Sequence, residues 1–361
     1  MKSRPWFSLL PDAIRDVDFN TVKVLKKLNQ ASRALGNLNG SLASVPNSAV
    51  LITTLTLQEA QLSSEIENIV TTQDELFEAK IDLGPKSPEV KEVNGYAAAL
   101  TAGFERARRD KIIRRNDLLE IQRSIVGNGQ GVRTTSGTRI QNVATNEIVH
   151  TSPQNIDDIE KLLDNFLTFF NDVERLDYDP LIQLAILHYQ FEAIHPFYDG
   201  NGRTGRILNV LYLTNNELLD APVLYLSRYI IENKSEYYRL MKELGDNREW
   251  ENWVLFILEA IETTAKQTQR TVTRLRELMR KKKEAIRATL PKLYSQDLIN
   301  HLFKNPYTKV KIYAKDLGKT EAVARQHLNL LEENGFLTAN KKGTTKYYIN
   351  RELLELLAER D

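Results

Sequence analysis

Apolar residues recur three and four positions apart through most of this chain, which is the spacing of one face of an α-helix. The pattern is clearest over residues 28–38, 51–58, 93–107, 159–170 and 179–194. It predicts a mainly α fold. Residues 131–153 depart from it, because Thr, Ile and Val alternate there with polar residues. That alternation predicts a β-hairpin or irregular flap with a turn at Thr145, Asn146 and Glu147.

The 361 residues are too many for one ordinary core and favour two or three domains. Residues 269–287 hold eight Arg or Lys against two Glu, as an exposed helix between domains would. The sequence that follows has a helical pattern, a short strand with a helix start, a second amphipathic helix and two alternating strands. This order resembles a winged helix-turn-helix with Thr320 as an N-cap and a turn at Lys342 and Gly343. The predicted divisions are an N-terminal helical region over 1–110, a core over 111–262, a basic helical linker over 263–289 and a winged-helix-like domain over 290–361.

Composition excludes several classes of function. The chain has no cysteine, which rules out disulfides, thiolate nucleophiles and Cys-ligated metal sites. The net charge is +1, from 49 basic and 48 acidic residues, so no global field steers the chain to nucleic acid or membrane. The beginning of the chain has no signal-peptide pattern, and no segment is apolar enough to span a bilayer. We expect a cytoplasmic protein without a membrane partner.

The run over 195–206, HPFYDGNGRTGR, combines the residue types of a phosphate site. Gly200 and Gly202 let backbone N–H groups approach a phosphate closely, and the helix that follows adds its positive N-terminal end. Arg203 and Arg206 can project from one side of that helix to further phosphate oxygens. A carboxylate in the turn offers Mg²⁺ a hard oxygen ligand, and the histidine that opens the run can accept a proton near neutral pH.

This run resembles the Fic signature in full, and the resemblance extends over about residues 51–261. Most members of that family transfer AMP from ATP to Ser, Thr or Tyr hydroxyls of proteins. The resemblance implies a helical Fic core with a β-hairpin flap, ATP and Mg²⁺ as cofactors, and self-modification. It implies that His195 is the catalytic base, that Phe197 anchors the loop in the core and that Asp199 binds the metal. The residues implied to bind ATP are Glu67, Gly200, Asn201, Gly202, Arg203, Thr204, Gly205, Arg206, Tyr237 and Tyr238.

Residues 63–68, SSEIEN, are similar to the inhibitory pattern of the same family. In such members the Glu pairs with the second signature Arg and blocks the position of the γ-phosphate. The resemblance implies that Ser63, Glu67 and Asn68 form this element and that Glu67 pairs with Arg206. Considered without this resemblance, residues 63–68 also fit the N-capped beginning of a helix with acidic residues in its first turn.

Several alternatives stay open. Family members that transfer phosphate commonly carry Lys at the position of Gly202, and both loop glycines here favour AMP transfer. The flap over 133–151 corresponds to the segment that docks a protein substrate by strand addition. The second function class is a DNA-binding regulator with a nucleotide-sensing core. Residues 291–361 carry 12 basic and 9 acidic residues, an excess of +3 that supports only weak DNA contact. Whether the chain forms a homodimer is open.

Overall fold

The computed structural model describes residues 9–42, 48–84, 86–141 and 146–358, and most of them are helical. The N-terminal region holds α1 (Val22–Leu42), α2 (Ser48–Ile66), α3 (Gln73–Lys80) and α4 (Pro88–Asp110). The centre holds α5 (Arg115–Val126), β1 (Arg139–Gln141), β2 (Ile148–Thr151), α6 (Ile156–Phe170), α7 (Pro180–Ile194), α8 (Asn201–Asn215), α9 (Ser227–Glu232) and α10 (Lys234–Asn247). The remainder is α11 (Trp250–Thr289), α12 (Gln296–Lys304), β3 (Tyr307–Thr308), α13 (Val310–Asp316), α14 (Glu321–Glu333), β4 (Thr338–Lys342), β5 (Thr345–Ile349) and α15 (Arg351–Ala358). The predicted mainly α fold is confirmed.

Helix α7 is the centre of the core, because its sequence is apolar on nearly every side. Residues 181–194 are all buried. Helices α6, α8 and α11 pack around it, and the indole N–H of Trp253 in α11 donates to the Ala185 carbonyl oxygen at 2.8 Å. Neither α7 nor any other helix of the described residues is both long and apolar enough to cross a membrane. Because α7 is packed on nearly every side, its C-terminal end has a fixed position, and the next loop begins there.

The flap forms the predicted hairpin. Strands β1 and β2 pair antiparallel, with Arg139 opposite Thr151 and Ile140 opposite His150. Its turn was predicted at residues 145–147; Thr145 lies outside the described residues, and Asn146 has a positive φ of 57°. The hairpin is tied to the next loop by a bridge between Val132 and the loop residue Phe197.

Helix α11 corrects the prediction of an exposed linker. It is continuous over 40 residues, so the predicted division between 262 and 263 falls inside it. Its first half packs along α1, and its second half contacts α12 and α15. The basic residues mask an apolar stripe at helical spacing, whose buried members are Val272, Leu275, Met279 and Ile286. The charged residues lie on the solvent-facing side of α11, so the sequence indicated an exposed helix although its opposite face is buried.

The C-terminal part has the predicted order of elements. Strands β3, β5 and β4 form an antiparallel sheet in that order, with Tyr307 and Thr338 on either side of Ile349. Thr320 is the N-cap of α14, since its hydroxyl accepts from the Val323 N–H at 3.4 Å. Helix α15 follows the sheet and was not predicted.

Gly95 in α4 permits a close crossing with α5, since a Cβ at this position would lie 2.3 Å from the Ser124 carbonyl oxygen. We expect Gly95→Ala to lower the free energy of unfolding by about 1–3 kcal/mol, because backbone atoms must shift to admit the methyl group. Gly36→Ala in α1 is the matched control, with no atom within 4 Å of the added Cβ. It should raise stability by roughly 0.5–1 kcal/mol. Urea unfolding followed by circular dichroism measures both, and a Gly95→Ala protein as stable as wild type would contradict the close crossing.

Candidate active site

Residues 195–200 connect α7 to α8 through a fixed turn. His195 ends α7 with a left-handed backbone at φ 49°, and Gly200 precedes α8 at φ 78°, a region that favours glycine. Phe197 is fully buried. The Asn201 side chain holds it in place, because the Phe197 N–H donates to Oδ1 and Nδ2 donates to the Phe197 carbonyl oxygen, both at 2.8 Å. The Asn201 amide thus shapes the turn that sets the histidine near the beginning of α8.

Arg133 fixes the same turn from the flap. It is fully buried, and its Nε donates to the His195 carbonyl oxygen at 2.7 Å. Its Nη2 donates to the carbonyl oxygens of Pro153 at 2.6 Å and Ile194 at 3.2 Å, and its backbone N–H donates to Pro196 at 2.9 Å. Sequence analysis placed Arg133 only at the border of the flap. Nothing local marks an arginine that tertiary structure will bury.

His195 has the protonation state of a base. Its Nδ1 lies 3.3 Å from the Glu192 carbonyl oxygen, which can only accept, so Nδ1 carries the proton and Nε2 has the free lone pair. Burial lowers the pKa of His195 to about 4, and the bond to Glu192 offsets only part of that effect. At neutral pH the imidazole is therefore uncharged and can accept a proton.

The carboxylate of Glu67 lies at the N-terminus of α8, where free backbone N–H groups and the helix dipole favour an anion. Oε1 accepts from the Arg203 N–H at 3.1 Å and from Arg206 Nη2 at 3.0 Å. Oε2 is 2.6 Å from Arg203 Nε, although this ion pair lacks hydrogen-bond geometry. Gly202 provides space for this carboxylate, because a Cβ at position 202 would lie 2.8 Å from both Glu67 Oε1 and Arg206 Nη1. The predicted pair of Glu67 and Arg206 is present.

Arg206 is almost completely buried and is held by α2. Its Nε donates to Ser63 Oγ at 2.7 Å, and its Nη2 donates to the Ser63 carbonyl oxygen at 2.8 Å. Burial opposes the charge, but the carboxylates of Glu67 and Glu192 more than compensate, and the pKa of Arg206 is raised. The guanidinium is a permanent cation in a site with little water, so it requires anionic partners.

Arg203 is 1% exposed and meets carboxylates on each side. Besides Glu67, its Nη1 pairs with Glu92 of α4, and its Nη2 lies 3.1 Å from Asp199 Oδ1. The Asp199 side chain is 64% exposed, and Oδ1 also accepts from the Gly200 N–H at 2.6 Å. Among the described residues, no group of three or more His, Cys, Asp or Glu is arranged to hold a metal ion.

The inhibitory pattern lies at the end of α2, not at the beginning of a helix. The alternative that reads residues 63–68 as an N-capped helix start is therefore wrong. Asn68 has φ 64°, a left-handed conformation that Asn tolerates, and the Ile69 N–H donates back to the Ser64 carbonyl oxygen at 3.0 Å. Lys234 Nζ donates to the Ile66 carbonyl oxygen at 2.6 Å, as expected for a cation at a helix C-terminus.

Two buried carboxylates lie near Arg206: Glu59, which was not predicted, and Glu192, which was expected to be a packing or orienting group on its helix face. Glu59 Oε1 accepts from the Tyr96 hydroxyl at 2.9 Å and from the Ser227 hydroxyl at 2.5 Å. Burial raises the pKa of Glu59 to about 7 and that of Glu192 to about 7, although Arg206 acts against both shifts. The only signal for a buried Glu59 in the sequence was its position as a single acidic residue within the apolar stretch of α2.

The remaining predicted residues lie on inner surfaces. Thr204 is fully buried, and a Cβ on Gly205 would lie 2.5 Å from Glu192 Oε1, so this side of α8 packs against α7. Tyr237 is buried, and its hydroxyl meets His188 Nε2 at 3.1 Å. Tyr238 is half-buried and edge-on to Tyr237, with ring centroids 5.6 Å apart. Contact of these residues with a nucleotide stays a prediction.

Three family models match the chain. The Fic/DOC family N-terminal model matches residues 25–105, the Fic/DOC family model matches 112–213, and a model described as the protein adenylyltransferase SoFic-like C-terminal domain matches 278–353. These matches lie over α2, the signature turn and the C-terminal sheet.

Curated relatives and solved structures are similar in part. Protein adenylyltransferase fic-1 of Caenorhabditis elegans is 33% identical over 141 residues, which are 38% of this chain and 26% of the relative. Protein adenylyltransferase Fic of Drosophila grimshawi is 28% identical over 150 residues, 41% of this chain and 28% of the relative. The chain thus spans about a quarter of the length of the curated relatives it matches. A crystal structure of a Fic family protein from Desulfovibrio desulfuricans has a TM-score of 0.58 at 21% identity, covering 91% of this chain and 96% of that one. A C. elegans Fic-1 structure has a TM-score of 0.53 at 22% identity, covering 68% and 72%.

Glu59 should make stability depend on pH. Its pKa rises from 4.5 to about 7 on folding, so the fold favours the protonated acid, and stability is lost as pH increases between these values. Glu59→Gln removes that loss. We expect the free energy of unfolding of the variant, relative to wild type, to increase steadily from pH 4.5 to about pH 7. Urea unfolding across this range measures it, and a difference independent of pH would contradict the buried, protonated acid.

Proposed function

The chain belongs to the Fic/DOC family, and on that premise we propose that it is a protein adenylyltransferase, which transfers AMP from ATP to hydroxyl groups of proteins. One observation supports this most: a neutral His195 with a free Nε2 beside a helix N-terminus whose groups already bind an anion. A base and a phosphate site in one turn are the requirements of transfer to a hydroxyl.

The geometry supports an in-line displacement at the α-phosphorus. His195 Nε2 accepts the proton of the target hydroxyl while its oxygen forms a bond to that phosphorus, and the bond to the leaving pyrophosphate breaks. The N–H groups at the beginning of α8 and the guanidinium of Arg203 stabilise charge on the phosphate oxygens. Arg133 and Asn201 keep the turn rigid, so the base does not move relative to the phosphate site.

Asp199 fits a magnesium ion that arrives with the nucleotide. Mg²⁺ usually takes one or two protein carboxylates and completes its shell with water and phosphate oxygens. An exposed carboxylate in the signature turn offers that donor without a preformed cluster. Bound there, the metal supplies neutralisation of phosphate charge.

Glu67 is proposed as an internal inhibitor. Its carboxylate takes the Arg203 N–H and the Arg206 guanidinium, which are the donors a terminal phosphate of ATP needs. A carboxylate and a phosphate compete directly for one guanidinium. With Glu67 in place, ATP cannot adopt the pose that aligns its α-phosphorus with His195.

A protein substrate is proposed to add a strand to the flap.

The runner-up function is a DNA-binding regulator whose core senses nucleotide. Two features support it: the winged-helix-like order of the C-terminal elements and the basic residues of α11. His195 favours the enzyme, because a sensor has no need of a rigidly held, uncharged base. A cytoplasmic location, a homodimer, self-modification and weak DNA contact stay predictions.

Removal of the Glu67 carboxylate should activate the protein. We expect Glu67→Gly to incorporate label from ATP labelled at the α-phosphate at least about tenfold faster than wild type, because each charge-assisted hydrogen bond contributes roughly 1.5–3 kcal/mol and 1.4 kcal/mol corresponds to about a factor of ten. His195→Ala in the same background should lose about 10²–10⁴-fold of the rate. Label from the γ-phosphate is the control for phosphate transfer, and its incorporation in place of α-label would refute AMP transfer.

The rate should be insensitive to pH where an ordinary histidine titrates. The pKa of His195 is lowered to about 4, so the base stays unprotonated above that pH and becomes protonated only as pH falls through it. We expect the labelling rate of Glu67→Gly to be constant between about pH 5.5 and 8. A rate that halves near the unperturbed pKa of about 6.5 would mean that His195 is not buried in this way.

A further inference from the structure

The C-terminal domain, residues 290–358, contacts the chain on both sides of Glu67. Gln58 lies on α2 before Glu67, and Gln73 begins α3 after it. Their side-chain amides both donate to the Leu357 carbonyl oxygen of α15, at 2.5 and 3.2 Å. The last carbonyl groups of a helix have no partner within the helix, so these glutamines cap α15. The segment that carries Glu67, residues 63–72, is therefore bracketed by two bonds to one atom of the C-terminal domain.

Helix α3 docks on the C-terminal sheet through a separate set of contacts. The ring of Tyr307 in β3 stacks between Phe77 of α3 and Tyr347 of β5, with centroids 5.8 Å apart on both sides. The Tyr307 hydroxyl donates to Asp74 Oδ1 at 2.7 Å. Glu78 of α3 pairs with Lys342 at the end of β4. An acidic helix thus lies on an aromatic and basic surface.

Helix α12 of the C-terminal domain packs on α2, and a cavity of about 530 Å³ lies between α2, α9 and α15. Leu62, Leu354 and Leu357 line this cavity together with polar side chains, so the interface is incompletely filled there. The second attachment of the domain is α11, where the buried Lys282 donates to Asn350 Oδ1 at 2.7 Å and also pairs with Glu352. The domain is therefore attached at α11 and, separately, at α2 and α3.

We propose that docking of the C-terminal domain on α2 and α3 holds Glu67 in the anion site, and that whatever undocks this domain releases the active site. The inference rests on the proposed inhibitory role of Glu67. The segment 63–72 is fixed in the core by polar contacts of Arg203, Arg206 and Lys234. When both ends of the segment are free, these contacts must hold Glu67 against ATP by themselves.

Charge reversal at the outer ion pair tests the docking. Glu78→Lys puts two lysines opposite each other, and Lys342→Glu puts two glutamates there; each should raise the labelling rate with α-labelled ATP about threefold or more. The double swap, Glu78→Lys with Lys342→Glu, restores the pair and should return the rate to the wild-type level. Arg280→Glu is the matched control, because it breaks an exposed ion pair with Glu284 on α11 away from this interface and should change nothing.

Hydrogen–deuterium exchange provides a readout that does not depend on catalysis. Amides of residues 63–72 should exchange faster in each single reversal and return to wild-type rates in the double swap. If Glu67→Gly gains label while the single reversals change neither labelling nor exchange, the inference is overturned and the proposed function stands. If Glu67→Gly gains no label, the inhibitory role fails, and unchanged exchange in the reversals would overturn the docking role as well.

Discussion

The buried guanidinium of Arg206 is the constraint around which the centre of this protein is arranged. An arginine cannot lose its charge, so a site without water must provide carbonyl, hydroxyl and carboxylate oxygens for it. Ser63 and Glu67 provide them from the end of α2, and the buried acids Glu59 and Glu192 lie nearby. Because the donors and acceptors come from α2, α7 and α8, the position of this one side chain ties the N-terminal region to the signature turn.

The same requirement explains why a carboxylate of the chain lies in this site. The N-terminus of α8 and both signature arginines need an anion, and either a carboxylate of the chain or a phosphate of a nucleotide can meet that need. Glu67 satisfies it here, with Gly202 leaving the space. The base is prepared independently, since Arg133 and the Glu192 carbonyl hold His195 from the other side. In the proposed inhibition, Glu67 takes the place of a nucleotide phosphate and leaves His195 unchanged.

Long-range contacts connect the segment that carries Glu67 to the C-terminal domain. Glu67 precedes a left-handed turn at Asn68, between α2 and α3. Both helices contact the C-terminal domain. That domain is also joined to the core through the continuous helix α11. The C-terminal elements therefore contact both α2 and α3, the helices on either side of Glu67.

The sequence by itself determined the helical character, the hairpin of the flap and the N-cap at Thr320, because periodicity and capping are local properties. The pairing of Glu67 with Arg206, which lie 139 residues apart, was predicted only through the resemblance of two separate segments to one family. It did not determine that α11 buries one face, that residues 63–66 end a helix, or that Arg133, Glu59, Glu92 and Glu192 surround the site. Arg133, Glu59 and Glu92 lie far from the signature in sequence, and nothing local shows that Glu192, three residues before His195, faces Arg206. Only the tertiary structure decided their roles, since the cost of burying a charge exists only once distant helices have excluded water from it.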